Sequence, residues 1–238
     1  ITSIASDGTT VYHECDLTSF DADGFTLNWT TANASAEIIN YIALGGTDLT
    51  NAKVVQWTSA ASNGDIAVTG VGFKPDCVIH ISSVSSTLGN SNADLWLATG
   101  AMDKNGNQWA NDIWTYTPAT TDTYNALFTD RTLSFDDSAN RSQAWFKSMD
   151  ADGFTTTFGN VGTATSRLVF SLCLKGGSYL VGNSFVSGGP QKQRVDGLGF
   201  APKGLIATHN GTSSRNITGA THSIWGFGAA SSASSEKG

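Results

Sequence analysis

The feature that most constrains this chain is an internal repeat. Residues 19–30, SFDADGFTLNWT, return at 148–159 as SMDADGFTTTFG, an offset of 129. YIALGG at 41–46 is answered by SLCLKGG at 171–177, and VTGVGFKPDCVI at 68–79 by VDGLGFAPKGLI at 195–206. LWLATGA at 95–101 matches IWGFGAA at 224–230. The order is kept and the offset stays within two residues of 129, so a module of that length is duplicated. Such a period is too long for a solenoid repeat. One complete module is expected at 64–190. Residues 1–60 and 198–238 then read as the two halves of a second module, split at a surface loop, with only the counterpart of 110–129 missing. The alternative is a window on a longer array, whose half-modules are joints to neighbours. On the first reading Phe25–Trp29 share a core with Phe200, Leu205 and Trp225, as Phe154 and Phe158 do with Phe73, Val78 and Trp96.

Within each copy the pattern is that of strands. Short runs of β-branched and aromatic residues, such as GFTLNWTT, AKVVQWTSA, DCVIHISSV and RLVFSLCLKGG, are punctuated by Gly, Asn, Asp and Ser. No sustained helical spacing of apolar residues appears. Strands of five to eight residues between turn signals point to a sandwich or barrel. The expected fold is all-β: two related antiparallel β-sandwich modules, jelly-roll-like, one of them split between the chain termini. Seven Trp and twelve Phe are ample for a core, while the polar share lies in 27 Ser and 29 Thr and not in charge.

The repeated motifs read as architecture. Asp21-Ala-Asp23-Gly24 and Asp150-Ala-Asp152-Gly153 alternate acids as a calcium loop does, but the later acidic ligands and closing Glu are missing. A hairpin turn, with Asp-Gly supplying the unusual backbone angle, accounts for them. Phe25, Leu27 and Trp29 alternate with Thr26 and Asn28, so their face is expected to be buried. Gly72-Phe73-Lys74-Pro75 and Gly199-Phe200-Ala201-Pro202 precede apolar strands; the proline presets a turn and the phenylalanine plugs the sandwich end.

Signals for chemistry are thin. His13, His80, His209 and His222 lie far apart, with neither an H-E-x-x-H pair nor a G-x-S-x-G elbow. Neighbouring acids such as Asp136-Asp137 point to opposite faces of a strand. No enzyme activity, catalytic residue, cofactor or metal is expected. Three widely spaced cysteines, Cys15, Cys77 and Cys173, fit neither a disulfide framework nor a zinc site. They read as buried free thiols, which suits assembly in a reducing cytoplasm. Five N-x-S/T sequons (Asn28, Asn33, Asn140, Asn210, Asn216) are what this Asn-, Ser- and Thr-rich composition produces anyway. A net charge of −7 with thirteen scattered Lys and Arg argues against nucleic acid as a partner. No run of 18 apolar residues marks a membrane helix, and no signal-peptide pattern opens the chain. The missing initial Met suggests a processed or excised piece.

The repeated blocks, DADGFTLNWTTANASAEIINYIALGG together with VTGVGFKPDCVI, resemble modules of tailed-bacteriophage virion structural proteins. The second copy departs from the pattern, with SLCLKGG for YIALGG and Phe158 for the tryptophan. The resemblance implies a non-enzymatic virion protein of capsid, decoration or tail. Its expected partners are other copies of itself and other virion proteins. A second reading is a carbohydrate- or receptor-binding adhesin recognising a host surface glycan. Trp109, Trp114, Tyr116 and Tyr124 would be its ligand-binding loop, because exposed aromatic faces bury area at little entropic cost. The same four aromatics also read as core residues.

Overall fold

The structure is a computed structural model. It describes the chain except residues 1, 5–9, 33, 35–40, 84, 89–95, 116–122, 137–140, 163–165, 185–191, 212–216, 222–224 and 232–238. The described residues form strands, turns and loops with no helix. Two compact units emerge, one of Ile1–Ala43 with Gly89–Ala93 and the other of Leu44–Leu88 with Asp94–Gly238.

The larger unit is a two-layer β-sandwich. One layer has four strands in the order β10 (Leu133–Asp136), β11 (Arg141–Asp150), β12 (Gly153–Gly159), β5 (Gly64–Val68). The other has seven, in the order β15 (Ile217–Thr221), β9 (Thr123–Phe128), β8 (Gln108–Thr115), β7 (Trp96–Asp103), β6 (Cys77–Ser83), β13 (Leu168–Lys175), β4 (Asn51–Thr58). Every pairing is antiparallel. The core fills the space between the layers, with Phe154 and Phe158 against Trp57, Val78 and Trp96, and Phe73 packed at its margin. Phe154 and Phe158 come from alternate positions of one strand, which is how a period of two places an apolar face.

The start and end of this sandwich meet. Thr50 N–H donates to the Lys175 carbonyl at 2.8 Å, and Asn51 is the register partner of Lys175. Strand β4 therefore belongs to this sheet, although the repeat boundaries placed it in the 1–60 segment. Its apolar Trp57 reaches the core, and the Trp57 indole N–H donates to Ser171 at 2.7 Å across the β4–β13 pair. The sheet gains a further strand from the C-terminal segment, β15, which pairs with the edge strand β9. An edge offers unpaired N–H and C=O groups to any strand in reach. Asn210 anchors the segment just before it, donating from its side chain to Asn111 at 3.1 Å and accepting at its carbonyl from Asn125 at 2.6 Å. The same segment carries a two-stranded ribbon of β14 (Leu205–His209) and β16 (Gly226–Ala230).

The smaller unit is a three-stranded antiparallel sheet, β1 (Thr2–Ile4), β2 (Val11–Asp21) and β3 (Gly24–Thr31). Its side chains alternate as expected, but burial is only partial. Phe25 and Leu27 are half-buried, and Trp29 is 41% exposed, edge-on to His13 at 6.0 Å. The expectation of a buried Trp29 is thus corrected. His13 and Cys15 of β2 are buried all the same, so only part of this sheet's apolar face is exposed.

All three cysteines are buried free thiols. Burial pushes the thiols of Cys77 and Cys173 up to about 12, so neither is a thiolate at neutral pH.

Candidate functional site

The repeated SFDADGFT and SMDADGFT blocks fold into the same hairpin. In β2–β3 the pairs are Ser19 with Thr26, Phe20 with Phe25 and Asp21 with Gly24, with a register shift between Leu17 and Ser19. In β11–β12 they are Ser148 with Thr155, Met149 with Phe154 and Asp150 with Gly153, with the shift between Phe146 and Ser148. The side chains agree as well. Ser19 and Thr26 donate to the two oxygens of Asp21, each at 2.7 Å. Ser148 and Thr155 do the same to Asp150 at 2.7 and 2.6 Å. The first acid of each motif is therefore a turn clamp; the hydroxyls of Ser19 and Thr26 hold the Asp21 carboxyl below its ordinary range.

The second acid of the motif is an anchor. Asp152 accepts the amide of Gly70 at 2.9 Å and that of Gly72 at 2.5 Å, which ties the hairpin tip to the T-G-V-G-F loop. These two amides hold the Asp152 carboxyl below the usual carboxylate range. Gly70 and Gly72 sit at φ of 81° and 85°, a left-handed conformation that glycine adopts without strain. A Cβ on Gly153 would stand 2.0 Å from the Val68 carbonyl oxygen, so β12 and β5 meet only because residue 153 is glycine. The motif reads as one device: it closes a hairpin, packs it tightly on a neighbouring strand and captures that strand's following loop. Spacing alone could not reveal this last role, because the partner loop lies about eighty residues away in sequence.

In the smaller unit the matching hairpin lacks this capture among the described residues. Asp23 occupies the place of Asp152, and among the described residues nothing donates to it. Nothing lies within 4 Å of a Cβ built on Gly24. Phe154 and Phe158 are 0% and 1% exposed, whereas Phe25 is half-buried and Trp29 exposed.

Of the four loop aromatics, Trp114 is buried in the sandwich core, with Tyr124 stacked on it at 5.6 Å and 18°. Trp109, an odd number of residues from Trp114 on β8, faces the other side of the sheet beside Leu174 and Val181. Tyr116 lies outside the described residues. The strand therefore divides Trp109 from Trp114 and Tyr124, and these three make no common platform.

The polar groups that could suggest chemistry are sealed. His80 Nδ1 lies 2.8 Å from Ser171 Oγ, the spacing of a nucleophile and its base. Both residues are 0% exposed, and the imidazole stands edge-on to Phe154 and Trp57. Burial pushes the His80 pKa down to about 3 and keeps the ring neutral. Asp112 is also fully buried and its carboxyl is held well above the usual range, chiefly by burial and further by the charge of nearby Asp136, against the Asp136 amide that donates to it at 2.9 Å. Among the described residues no three His, Cys, Asp or Glu side chains are placed to hold a metal ion. No protein-family model, curated protein or solved structure matches this chain.

Proposed function

We propose that this chain is a non-enzymatic structural protein of a bacteriophage virion, a capsid, decoration or tail component that works by making contacts with further copies of itself and with other virion proteins. One observation carries the assembly part: a single hairpin device occurs twice, once closed over a partner loop with its phenylalanines enclosed and once with Phe25 half-buried and Leu17 and Trp29 exposed. A sheet of three strands with one apolar face is stabilised when a second layer covers it. The resemblance of the repeated blocks supports the virion setting. The rival adhesin reading would need a surface other than Trp109, Trp114 and Tyr124. Mass spectrometry of purified phage particles tests the proposal: the chain should be present at many copies per particle. Its absence from particles, with the protein confined to the host lysate, would refute it.

A further inference from the structure

We infer that Asp112 and Asp136 hold one proton between them inside the sandwich, and that this proton is a latch whose loss loosens β10 from β8. The two carboxyls come from different layers, Asp112 from β8 and Asp136 from β10, and both residues are 0% exposed. Asp112 Oδ2 accepts the Asp136 amide at 2.9 Å, so the carboxyl of one layer ties down the backbone of the other. Asp136 has a counter-ion. It stands opposite Arg141 in the β10–β11 pair, and the Arg141 Nε lies 3.3 Å from its Oδ2. Asp112 differs: among the described residues no cation lies within ion-pair distance of it, and its Oδ1 has no hydrogen-bond partner.

Two carboxylates against one guanidinium would leave a negative charge buried without compensation. A carboxyl in that position takes up a proton instead, because the neutral acid is far cheaper to bury than the ion. Arg141 favours the charge on Asp136, so Asp112 is the acid of the pair. Its raised carboxyl has the same two causes, burial first and the Asp136 charge after it. The groups around the pair leave this assignment intact. Asp112 is flanked by Ala98 of β7 and Ala126 of β9, which carry no charge. The buried Arg167 is stacked on Trp96 at 3.9 Å and on Phe135 at 5.5 Å. His80 is neutral down to about 3. When the proton leaves for solvent, Asp112 becomes a second buried carboxylate beside Asp136. The repulsion acts along the contact that ties β10 to β8, and β10 is the edge strand of its layer.

The folded chain keeps this proton, whereas an unfolded aspartate with its ordinary value of 3.8 has lost it. The pair's contribution is therefore full in acid and is lost as pH rises from 3.8 towards the folded value. Above 6.5 His80 is neutral folded and unfolded, and the thiols of Cys77 and Cys173 start from 9.0, so the interval from 6.5 to about 8.5 reports on the pair.

The test reads the proton and the latch separately in the full chain. Infrared spectra at about pH 7 should show a protonated-carboxyl C=O band, which aspartates of ordinary pKa do not give there. Asp112→Asn keeps an acceptor for the Asp136 amide, carries no charge and should abolish the band. Hydrogen exchange, corrected for its intrinsic rate, reads the latch. Across the same interval the opening constant of β10 should rise by up to about tenfold per pH unit relative to that of Asp112→Asn. A band that is absent, or that persists in Asp112→Asn, would overturn the inference, as would β10 opening with the same pH dependence in both proteins. If Asp112→Asn does not fold, the unchanged protein still decides through the presence or absence of the band.

Discussion

Truncating Phe154 should cost the sandwich far more than truncating its repeat partner Phe25 costs the smaller unit. Phe154 is 0% exposed, and its ring lies edge-on to Trp57 at 6.0 Å and to His80 at 5.5 Å. Removing a buried phenylalanine loses its transfer energy and leaves a cavity, about 3–5 kcal/mol in all. Each edge-on ring pair accounts for about 0.5–1.5 kcal/mol of that. Phe25 is half-buried, with one ring neighbour, Tyr41, at 5.0 Å. Fully burying a phenylalanine is worth about 1.5–3 kcal/mol, so half-burial leaves about 1 kcal/mol at stake in the dilute chain. Native-state hydrogen exchange read by mass spectrometry is the suitable assay, since one denaturation curve would merge two compact units. Phe154→Ala should lower protection across β11 and β12 by the larger amount. A loss below about 1 kcal/mol there, or an equal loss from Phe25→Ala at high dilution, would refute the contrast between closed and open copies.

Gly153→Ala should destabilise the sandwich by more than about 1 kcal/mol, because its Cβ would meet the Val68 carbonyl oxygen at 2.0 Å. Gly24→Ala meets no neighbour, so it carries only the backbone strain of a φ of 153°, which Gly153 at 143° shares, and should shift thermal melting less. Acid should weaken the fold through His80. Its folded pKa of about 3 lies below the ordinary 6.5, so the unfolded chain binds the extra proton, and stability falls as pH drops from 6.5 towards 3. The slope from this one group is about 1.4 kcal/mol per pH unit. Urea midpoints measured across that window should fall less steeply in His80→Leu, and an unchanged slope would mean that His80 is protonated in the fold.

Much of the fold was legible because a period of two is a direct statement about faces. GFTLNWTT and GFTTTFG read as strands after an Asp-Gly turn, and both are. What a period of two does not say is whether a second layer lies over the face. Hence Trp29 read as buried and is exposed, while its counterpart Phe158 is enclosed. The repeat blocks named matching residues but not where one sheet ends; β4 joins the complete sandwich because Trp57 completes its core, a tertiary fact. The aromatic loop failed as a site for a related reason. Trp109 and Trp114 are close in sequence, yet opposite parity on β8 sends them to different sides of the sheet. The anchoring role of Asp152 was hidden by distance, although its signal was present: the DADG and G-V-G-F blocks recur together in both copies.

Sedimentation velocity of the intact chain over a wide concentration range tests the central claim most directly. An assembly protein with exposed apolar side chains such as Leu17, Trp29 and Leu205 should leave the 24.9 kDa monomer as concentration rises and sediment at multiples of that mass. A protein that stays at 24.9 kDa up to about millimolar concentration, where even weak self-association with a Kd near 1 mM becomes visible, would contradict the account.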